Sequence, residues 1–264
     1  MFDLHSHILP AIDDGAKTIA ESLDMLAIAA DCGTKTIIAT PHVIEGSWLP
    51  SWEDITRSTA ELNHAASSAG LNITILPGAE VALTMDILSR ITGPGPYCIN
   101  SSHYILVELP ATHIPPFADE FLFTLQARGI TPIIAHPERH PELGKNPQIL
   151  MGWINKGILT QLNGSSITGR MGERTMKTAE LLLTNHMAHL IGSDAHSPRH
   201  RTPRLTETKN KIHTLVGPDY ATELLLTNPQ AIVNNEYIPT REIHQIRYPQ
   251  KPKTFKRFFA AIFG

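Results

Sequence analysis

The first ten residues contain a His-Ser-His motif, and two aspartates follow it closely. His5 and His7 stand two residues apart in an apolar-flanked run, and Asp13 and Asp14 precede Gly15. Side chains two apart in a β-strand point to the same face, so both imidazoles can reach one point. Imidazole and carboxylate groups are ligands for zinc, iron and manganese. The start of the chain therefore predicts part of a divalent-metal site, with two surface histidines as the alternative.

Seven apolar runs alternate with helix-like segments along the chain. Apart from the N-terminal run, they lie at residues 35–40, 72–76, 103–107, 131–135, 158–162 and 187–191. They lack the two-residue alternation of half-exposed strands, which predicts strands covered on both faces. Short links between strand and helix imply parallel strands, because each helix returns the chain to the same end. Without a glycine-rich phosphate fingerprint, this order favours a parallel α/β barrel over an open doubly wound sheet.

Capping residues mark helix starts between these runs. Thr18-x-x-Glu21 and Ser51-x-x-Asp54 each place a hydroxyl at a helix N-cap and an acid three residues later. Further helices are predicted from about residue 116 to 129, from 147, within 173–185, and at 206–216, 220–226 and from 228.

Most of the predicted strands end in a residue that can bind a metal. In a parallel α/β barrel the C-terminal strand ends form one rim, where active sites lie. The candidate ligands are His5, His7, Asp14, His42, Glu80, Glu108, His136, Asp194 and His196. One ion rarely takes more than four to six protein ligands, so this set predicts two or three ions that share carboxylates. Mixed nitrogen and oxygen ligands without thiolate fit manganese, iron or zinc.

Such a site suits phosphate chemistry. Three divalent ions against four carboxylates carry a formal charge of about +2, which attracts a phosphate dianion. A metal ion also lowers the pKa of bound water and supplies hydroxide near neutral pH. A phosphate ester whose leaving group has a pKa of about 10, as a phenol has, would need little proton help. His140 and Asp13 are the candidates for a general acid.

Composition excludes several classes of function. The chain has 264 residues and a formal net charge of −3, which disfavours general nucleic-acid binding. Cys32 and Cys98 form no disulfide framework, which predicts a reducing compartment, and neither begins a Cys-x5-Arg phosphatase loop. A signal peptide and an apolar run of about 20 residues are both missing from the sequence. We therefore expect a cytoplasmic protein.

Six motifs together resemble the PHP (polymerase and histidinol phosphatase) superfamily. They are His5-x-His7, Asp13-Asp14-Gly15, Ala39-Thr40-Pro41-His42, Pro77-Gly78-Ala79-Glu80, Ile134-Ala135-His136-Pro137-Glu138-Arg139 and Ser193-Asp194-Ala195-His196. The opening Asp-x-His-x-His-Ile-Leu-Pro-x-Ile-Asp-Asp-Gly-Ala-Lys is similar to the metal-dependent protein-tyrosine phosphatases of bacterial capsule and exopolysaccharide loci. The resemblance extends to about Asn234.

The resemblance implies a distorted seven-stranded parallel β/α barrel and a three-metal site, often with manganese. It implies that Glu80 bridges two ions and that Asp14, Glu108 and His196 hold the third. The substrate it implies is the phosphotyrosine tail of a membrane-bound bacterial tyrosine kinase that governs polysaccharide synthesis and export.

The resemblance also implies two arginines that hold the phosphate. Arg139 is one, and the other follows the Asp-x-His motif. We select Arg201 from its seven-residue offset after Asp194, with Arg199 and Arg204 as alternatives.

We expect one phosphatase domain at residues 1–240 and a basic amphipathic tail at 241–264. Residues 251–264 combine apolar residues at helical spacing with four cations and no acid. Such a segment is typical of contact with anionic membranes, here the inner face of the cell membrane. We favour docking on the protein itself or on a neighbouring subunit, with membrane contact as the second hypothesis.

Other readings of the same residues stay open. A small-molecule phosphatase acting on histidinol phosphate, or a metal-bound scaffold without catalysis, would keep the same ligands. An amidohydrolase commonly has a bridging lysine on its fourth strand, where this chain has Glu108. Among neighbouring polar residues, we expect Asp13 to form a turn and Glu138 to be solvated or salt-bridged. Asn163 is expected either to hydrogen-bond a ligand or to form a turn.

Overall fold

Parallel strands form the centre of the molecule, and helices connect them. The structure, a computed structural model, describes residues 1–239 and 241–244. The strands are β1 (Phe2–Ser6), β2 (Thr36–Ala39), β3 (His42–Val43), β4 (Thr74–Pro77), β5 (Glu80–Ala82), β6 (Tyr104–Glu108), β7 (Thr131–Ala135), β8 (Leu159–Asn163) and β9 (Leu190–Gly192). The ladders between them are parallel. The predicted amphipathic segment at 251–264 lies outside the described residues.

Helices pack around these strands. They are α1 (Ile19–Asp31), α2 (Trp52–Ser68), α3 (Ala118–Ala127), α4 (Pro141–Lys145), α5 (Gln148–Ile154), α6 (Gly164–Ile167), α7 (Glu173–Thr184), α8 (Thr206–Thr222) and α9 (Asn228–Val233). Short 3₁₀ turns lie at Met85–Ser89, Ile99–Ser101 and Pro137–Arg139, and a π-helical stretch at Glu223–Thr227. Among the described residues, we find no helix with the length and apolarity that crossing a membrane requires.

The strands form two sheets, in the orders β1–β2–β4 and β3–β5–β6–β7–β8–β9. Two chain segments pass from the smaller sheet into the larger one. Thr40 and Pro41 separate β2 from β3, and Gly78 and Ala79 separate β4 from β5. Pro41 has no N–H to donate, so the ladder is interrupted there. This interruption places the first residues of β3 and β5, His42 and Glu80, in register with each other.

The outer strands of the two sheets, β1 and β9, meet at their C-terminal ends. An isolated parallel bridge joins Ser6 to Ala195. The N–H of Asp194 donates to the carbonyl of His5 at 2.8 Å, and the N–H of His7 donates to the carbonyl of Ala195 at 2.8 Å. The predicted α/β class with parallel strands is therefore confirmed, as a mixed α/β fold with two parallel sheets.

The strand bodies are buried, as the continuous apolar runs predict. Ile37, Ile38, Ile105, Ile133 and Ile134 are all fully shielded from solvent. Removing such side chains from water is the main favourable term in folding, at about 25 cal/mol per Å² of apolar surface. Polar side chains are also buried within two strands, with Asp3 in β1 and Thr160 and Gln161 in β8.

Two predicted helix starts are confirmed. The hydroxyl of Thr18 accepts a hydrogen bond from the N–H of Glu21 at the start of α1. At the start of α2, Ser51 and Asp54 form a reciprocal capping box. Each cap satisfies a helix N–H that has no intrahelical partner, which explains why the helices begin at these residues.

Three predicted elements differ in extent. The last strand, β9, begins only at Leu190, because the N–H of His189 donates to the carbonyl of Thr160 outside the regular ladder. The short helix α4 was not predicted. The two helices predicted at 206–216 and 220–226 are separated at Gly217, which has a φ of 81°, and the second begins earlier and ends in the π-helical stretch.

Candidate metal centre

The nine predicted ligands lie together. Most are at or just past C-terminal strand ends, whereas His42 and Glu80 follow β2 and β4 and begin β3 and β5. The strands β1, β3, β5 and β6 carry His5, His42, Glu80 and Glu108, respectively. The others are in loops that leave strand ends: His7 and Asp14 after β1, His136 after β7, and Asp194 and His196 after β9. We refer to these nine residues as the metal cluster.

The ligand atoms of the metal cluster form four overlapping groups, in each of which all atoms lie within 4.8 Å of one another. The groups are His7, Asp14, His42 and His196; His5, His7 and Glu80; His5, His136 and Asp194; and His42, Glu80 and Glu108. Four residues (His5, His7, His42 and Glu80) belong to two groups each. Shared ligands at this spacing suit adjacent ions rather than one isolated ion.

Glu80 lies at the centre of the cluster and is almost completely buried. Its Oε2 is 3.4 Å from the Nε2 atoms of both His5 and His7 and 3.1 Å from His42 Nδ1. Its Oε1 is 3.0 Å from His136 Nε2. One carboxylate therefore faces four imidazoles, which is the placement that a bridging ligand needs.

Unpaired polar atoms show that the cluster fits metal ions. His42 Nδ1, Glu80 Oε2 and His196 Nε2 are buried and have no hydrogen-bond partner among the described residues. An unsatisfied buried polar group costs about 1–3 kcal/mol. Divalent cations at these atoms would satisfy all three, and the donor set of imidazoles and carboxylates is the one that such ions accept.

The electrostatics of the cluster favour cations. Burial would raise the pKa values of Glu80 and Asp194, but the surrounding imidazoles hold both well below their usual range. Burial lowers the pKa of His196 to about 3, with His7 and Arg201 adding to the effect. His196 is thus a neutral imidazole. At His7, burial is outweighed by Asp13 and Glu80, which raise the pKa to about 10, so a metal ion that binds there displaces a proton.

Asp13 holds His7 in place. Its Oδ2 lies 2.7 Å from His7 Nδ1 and accepts the N–H of His42 at 3.0 Å, while Oδ1 accepts the N–H of Gly15 at 2.9 Å. Burial opposes its charge, but these contacts lower the pKa of Asp13 to about 2. Asp13 forms the predicted turn, but its main contact orients a ligand, and its low pKa leaves no proton for general-acid catalysis at neutral pH.

Two amide side chains on β8 position ligands on either side. Gln161 Oε1 lies 2.8 Å from His5 Nδ1, and Gln161 Nε2 donates to Asn163 Oδ1 at 2.9 Å. Asn163 Nδ2 in turn donates to Asp194 Oδ2 at 2.7 Å. Asn163 is therefore a hydrogen bonder of a ligand, one of its two predicted roles. Gln161 was not predicted, although a polar residue inside an apolar strand, two before Asn163, was an available signal.

The structure corrects the prediction for Glu138 and clarifies the role of His140. Glu138 was expected to be solvated or salt-bridged, but it is 2% exposed and accepts the N–H of Asn163. Burial raises its pKa. His140 Nε2 lies 3.1 Å from the carbonyl of Pro110, and its Nδ1 accepts the N–H of Glu142 at the start of α4. Both ring nitrogens of His140 are thus engaged by backbone, so His140 is not positioned as a general acid.

Two arginines contact the cluster from its solvent side. Arg139 Nη1 lies 2.9 Å from Asp194 Oδ2, and Arg201 Nη2 contacts the same oxygen. Both side chains remain about one-third exposed. Of the two alternatives to Arg201, Arg199 is exposed and Arg204 extends toward Cys32. The geometry therefore places Arg139 and Arg201 where an anion entering the cluster would meet them.

An aromatic side chain borders the cluster. The ring of Trp48 stacks on the ring of His42 with centroids 5.5 Å apart and an interplanar angle of 21°. The loop that carries Trp48 is closed by a hydrogen bond from the N–H of Ile44 to the carbonyl of Trp48. An ion pair between Glu45 and Arg90 connects it to the segment after β5. The loop after β3 thus forms an aromatic wall beside the cluster.

The sequence of the chain is similar to those of bacterial proteins named as tyrosine-protein phosphatases. It is 30% identical over 259 residues to a Bacillus subtilis (strain 168) protein named tyrosine-protein phosphatase YwqE, covering 98% of this chain and 99% of that one. It is 33% identical over 251 residues to a Staphylococcus aureus protein named putative tyrosine-protein phosphatase CapC, covering 95% and 98%.

Solved structures show the same relationship. One structure matches with a TM-score of 0.87 at 29% identity, over 94% of this chain and 100% of that one. It comes from work on YwqE from Bacillus subtilis and CpsB from Streptococcus pneumoniae, which describes them as unique metal-dependent tyrosine phosphatases. A histidinol phosphate phosphatase from Lactococcus lactis matches with a TM-score of 0.55 at 14% identity, over 85% of this chain and 95% of that one, which shows a similar fold alone. A family model described as capsular polysaccharide synthesis, CpsB/CapC, matches residues 1–234, and the chain belongs to this family.

Proposed function

We propose that the protein is a metal-dependent protein-tyrosine phosphatase. The observation that carries the proposal is the metal cluster itself, in which overlapping ligand groups surround Glu80 while Arg139 and Arg201 meet at Asp194. Cations and guanidinium groups at one rim form a site for a phosphate ester. The names of the relatives YwqE and CapC support phosphotyrosine as the ester.

The metal ions would be held by the nine residues of the metal cluster. The resemblance implied Asp14, Glu108 and His196 at one ion, but Asp14 and His196 group with His7 and His42, whereas Glu108 groups with His42 and Glu80. When bound, they neutralise phosphate charge and lower the pKa of water enough to supply hydroxide near neutral pH. We propose manganese, which accepts this mixture of imidazole and carboxylate; iron and zinc accept it too. The metal-dependent activity stated for the YwqE and CpsB structures supports a catalytic rather than structural role for these ions.

Arg139 and Arg201 would bind the non-bridging oxygens of the phosphate. Phosphoryl transfer depends mainly on positioning and on neutralising charge, and a guanidinium fork matches two phosphate oxygens at once. Both arginines are already directed to the cluster by Asp194. Their partial exposure lets them exchange this carboxylate for the incoming phosphate without unfolding the loops that carry them.

An aryl phosphate fits the surroundings better than an alkyl phosphate. The ring of Trp48 offers a stacking surface beside His42. A phenolate with a pKa of about 10 is a much better leaving group than an alkoxide, so little protonation is needed. This agrees with Asp13 and His140, both of which are occupied by other hydrogen bonds. Tyrosine phosphate therefore needs the fewest additional catalytic groups.

Phosphate release from three substrates tests the proposal: a phosphotyrosyl peptide, a phosphoseryl peptide and histidinol phosphate. Each is measured after chelation and again after manganese is restored. We expect turnover confined to the phosphotyrosyl peptide and dependent on the metal. Preference for histidinol phosphate would identify a small-molecule phosphatase. No turnover with metal bound would favour a scaffold that binds the phosphorylated partner without hydrolysis.

The partner that we propose is the phosphotyrosine tail of a membrane-bound bacterial tyrosine kinase. Membership of a capsular polysaccharide synthesis family supports it. The protein would then act in the cytoplasm at the inner face of the membrane, with residues 251–264 as the peripheral contact. Co-sedimentation with anionic vesicles, with and without residues 251–264, tests this contact.

We further propose that residues 1–240 form the phosphatase domain and that its two sheets belong to one distorted seven-stranded barrel. The family match to residues 1–234 supports the first point. The second is supported by the short breaks within the β2–β3 and β4–β5 segments and by the bridge between Ser6 and Ala195. Counting each interrupted segment once makes seven parallel strands.

A further inference from the structure

A small cavity of about 100 Å³ lies beside the proposed phosphate site. Its charged lining consists of Arg170, Arg201, Arg204 and Glu207, together with His200. We call it the arginine cavity. We propose that it binds a second anionic group of the substrate peptide, a carboxylate or a phosphate close to the phosphotyrosine. The proposal rests on the proposed function and adds a preference for acidic peptides to it.

Arg201 links the arginine cavity to the metal cluster. Arg201 contacts Asp194 and also lines the cavity, as does Ser193, the residue before Asp194. The carbonyl of Arg201 accepts the N–H groups of His196 and Ser197 at 2.8 and 3.1 Å, so the loop that forms the cavity is tied to a candidate ligand. Because Arg201 is shared by the two sites, we direct the proposal to peptide residues next to the phosphotyrosine.

The charge around the arginine cavity is opposite in sign to the net charge of the protein. The chain has a formal net charge of −3, yet residues 195–206 contain three arginines and no acid. Arg170, from the segment after α6, adds a further cation to the lining. Among the described residues that line the cavity, Glu207 is the only acid. A concentration of cations beside a catalytic cluster attracts anionic groups and raises their local concentration.

Arg170 is available to an incoming anion at little cost. Its Nη2 lies 3.1 Å from Glu207 Oε2, and both side chains are more than half exposed. Exposed ion pairs of this kind contribute about 0–1 kcal/mol. A substrate carboxylate or phosphate can therefore replace Glu207 as the partner of Arg170, while Arg201 continues to hold the phosphate that reacts.

The test uses two phosphotyrosyl peptides that differ only in having glutamate or glutamine beside the phosphotyrosine. We expect the wild type to have a KM about three- to tenfold lower for the glutamate peptide, with a similar kcat. Arg170→Gln should reduce this ratio toward one. Glu207→Gln should increase it, because it removes the competing acid. Lys177→Gln, which alters a similarly exposed ion pair with Glu173, is the matched control and should leave the ratio unchanged.

Binding measurements separate this inference from the proposed function. Calorimetry with non-hydrolysable phosphonate versions of both peptides, and of a doubly phosphorylated one, reports affinity whether or not the protein turns over phosphotyrosine. Arg170→Gln should weaken the binding of both anionic peptides. If the glutamate peptide loses more affinity, the cavity prefers a carboxylate; if the doubly phosphorylated peptide loses more, it prefers a phosphate. The proposal would be overturned if the wild type bound the neutral and both anionic peptides with equal affinity. It would also be overturned if Arg170→Gln and Glu207→Gln both left the ratio of the two KM values unchanged. Absence of turnover with the preference intact would overturn only the phosphatase assignment.

Discussion

Asp13 Oδ2 lies 2.7 Å from His7 Nδ1, and this contact decides which nitrogen of His7 faces the centre of the cluster. With Nδ1 engaged, Nε2 is directed to Glu80 and Asp194, at 3.4 and 3.6 Å. A carboxylate behind a metal-binding imidazole fixes the ring and increases its basicity. Asp13 therefore acts on metal binding through His7.

Replacing Asp13 with asparagine tests this relationship. We expect Asp13→Asn to weaken manganese binding by about 10- to 100-fold, because the amide cannot hold the imidazole as strongly. Metal titration followed by calorimetry measures the change. Asp24→Asn, at an exposed position of α1, is the control and should bind manganese as the wild type does. Equal losses in both variants would contradict the assigned role.

Replacing either phosphate-binding arginine should impair catalysis and leave metal binding intact. We expect Arg139→Gln and Arg201→Gln each to lower kcat/KM on a phosphotyrosyl peptide by about 10²- to 10³-fold, the usual loss for a donor to a developing oxyanion. Steady-state kinetics and metal content are measured together. Arg199→Gln, in the same loop but exposed, should retain activity. A comparable loss in Arg199→Gln would show that Arg201 is the wrong choice.

Trp48 should distinguish aryl from alkyl substrates. Its stacking surface is worth about 1 kcal/mol, so we expect Trp48→Leu to raise KM for a phosphotyrosyl peptide by about fivefold, with Trp48→Phe restoring most of the loss. Neither variant should change the KM for an alkyl phosphate. Equal effects on both kinds of substrate would mean that Trp48 only supports His42.

The absence of a side chain at Gly192 leaves room for His5, a candidate ligand, and for Gln161, which contacts His5. A Cβ at this position would lie 2.5 Å from His5 Cβ and 2.8 Å from Gln161 Nε2. We expect Gly192→Ala to destabilise the protein by about 1–3 kcal/mol, measured by denaturant unfolding, and to weaken metal binding. Gly152→Ala, in α5, meets no neighbouring atom within 4 Å and should be neutral or stabilising. A neutral Gly192→Ala would show that β1 and β9 can separate without cost.

His189 should make the protein sensitive to mild acid. Burial lowers its pKa to about 4, so the folded state stays neutral while the unfolded chain takes up a proton near pH 6.5. Stability is therefore lost as the pH falls from about 6.5 toward 4, by up to about 3 kcal/mol. Urea unfolding of the metal-free protein at several pH values measures this loss. His189→Asn, which removes this titration, should reduce the slope between those values and leave the part that His196 contributes, and an unchanged slope would contradict the prediction.

The position of the ligands was predictable because strand ends are easy to locate in this sequence. Apolar runs stop sharply at His42, Glu80 and His136, and parallel pairing brings such ends together. The short strands β3 and β5, which follow Thr40–Pro41 and Gly78–Ala79, were not predicted, because the apolar runs end before them and their hydrogen-bonding partners lie in the other sheet. The partner of a strand is a tertiary property that periodicity does not encode.

The supporting hydrogen bonds were harder to foresee. Glu138 follows a strand in a polar loop, so its burial against the N–H of Asn163 depends on how two loops meet. His140 resembled a site histidine by proximity, yet it caps α4, a helix whose start had no independent signal apart from Pro141. Arg201 was chosen from three arginines by spacing, and only the fold shows that it is the one against Asp194.

The bridge between the ends of β1 and β9 has a consequence for biosynthesis. The carboxylate of Asp3 in the first strand accepts the N–H of Ser193, 190 residues later, and the backbone carbonyl of His5 accepts the N–H of Asp194. A nascent chain still on the ribosome cannot complete the cluster until residue 196 has left the exit tunnel. Contacts this distant in sequence also make folding slow. Catalytic competence should therefore arise only after nearly all of the domain has been translated, so truncated products would be inert.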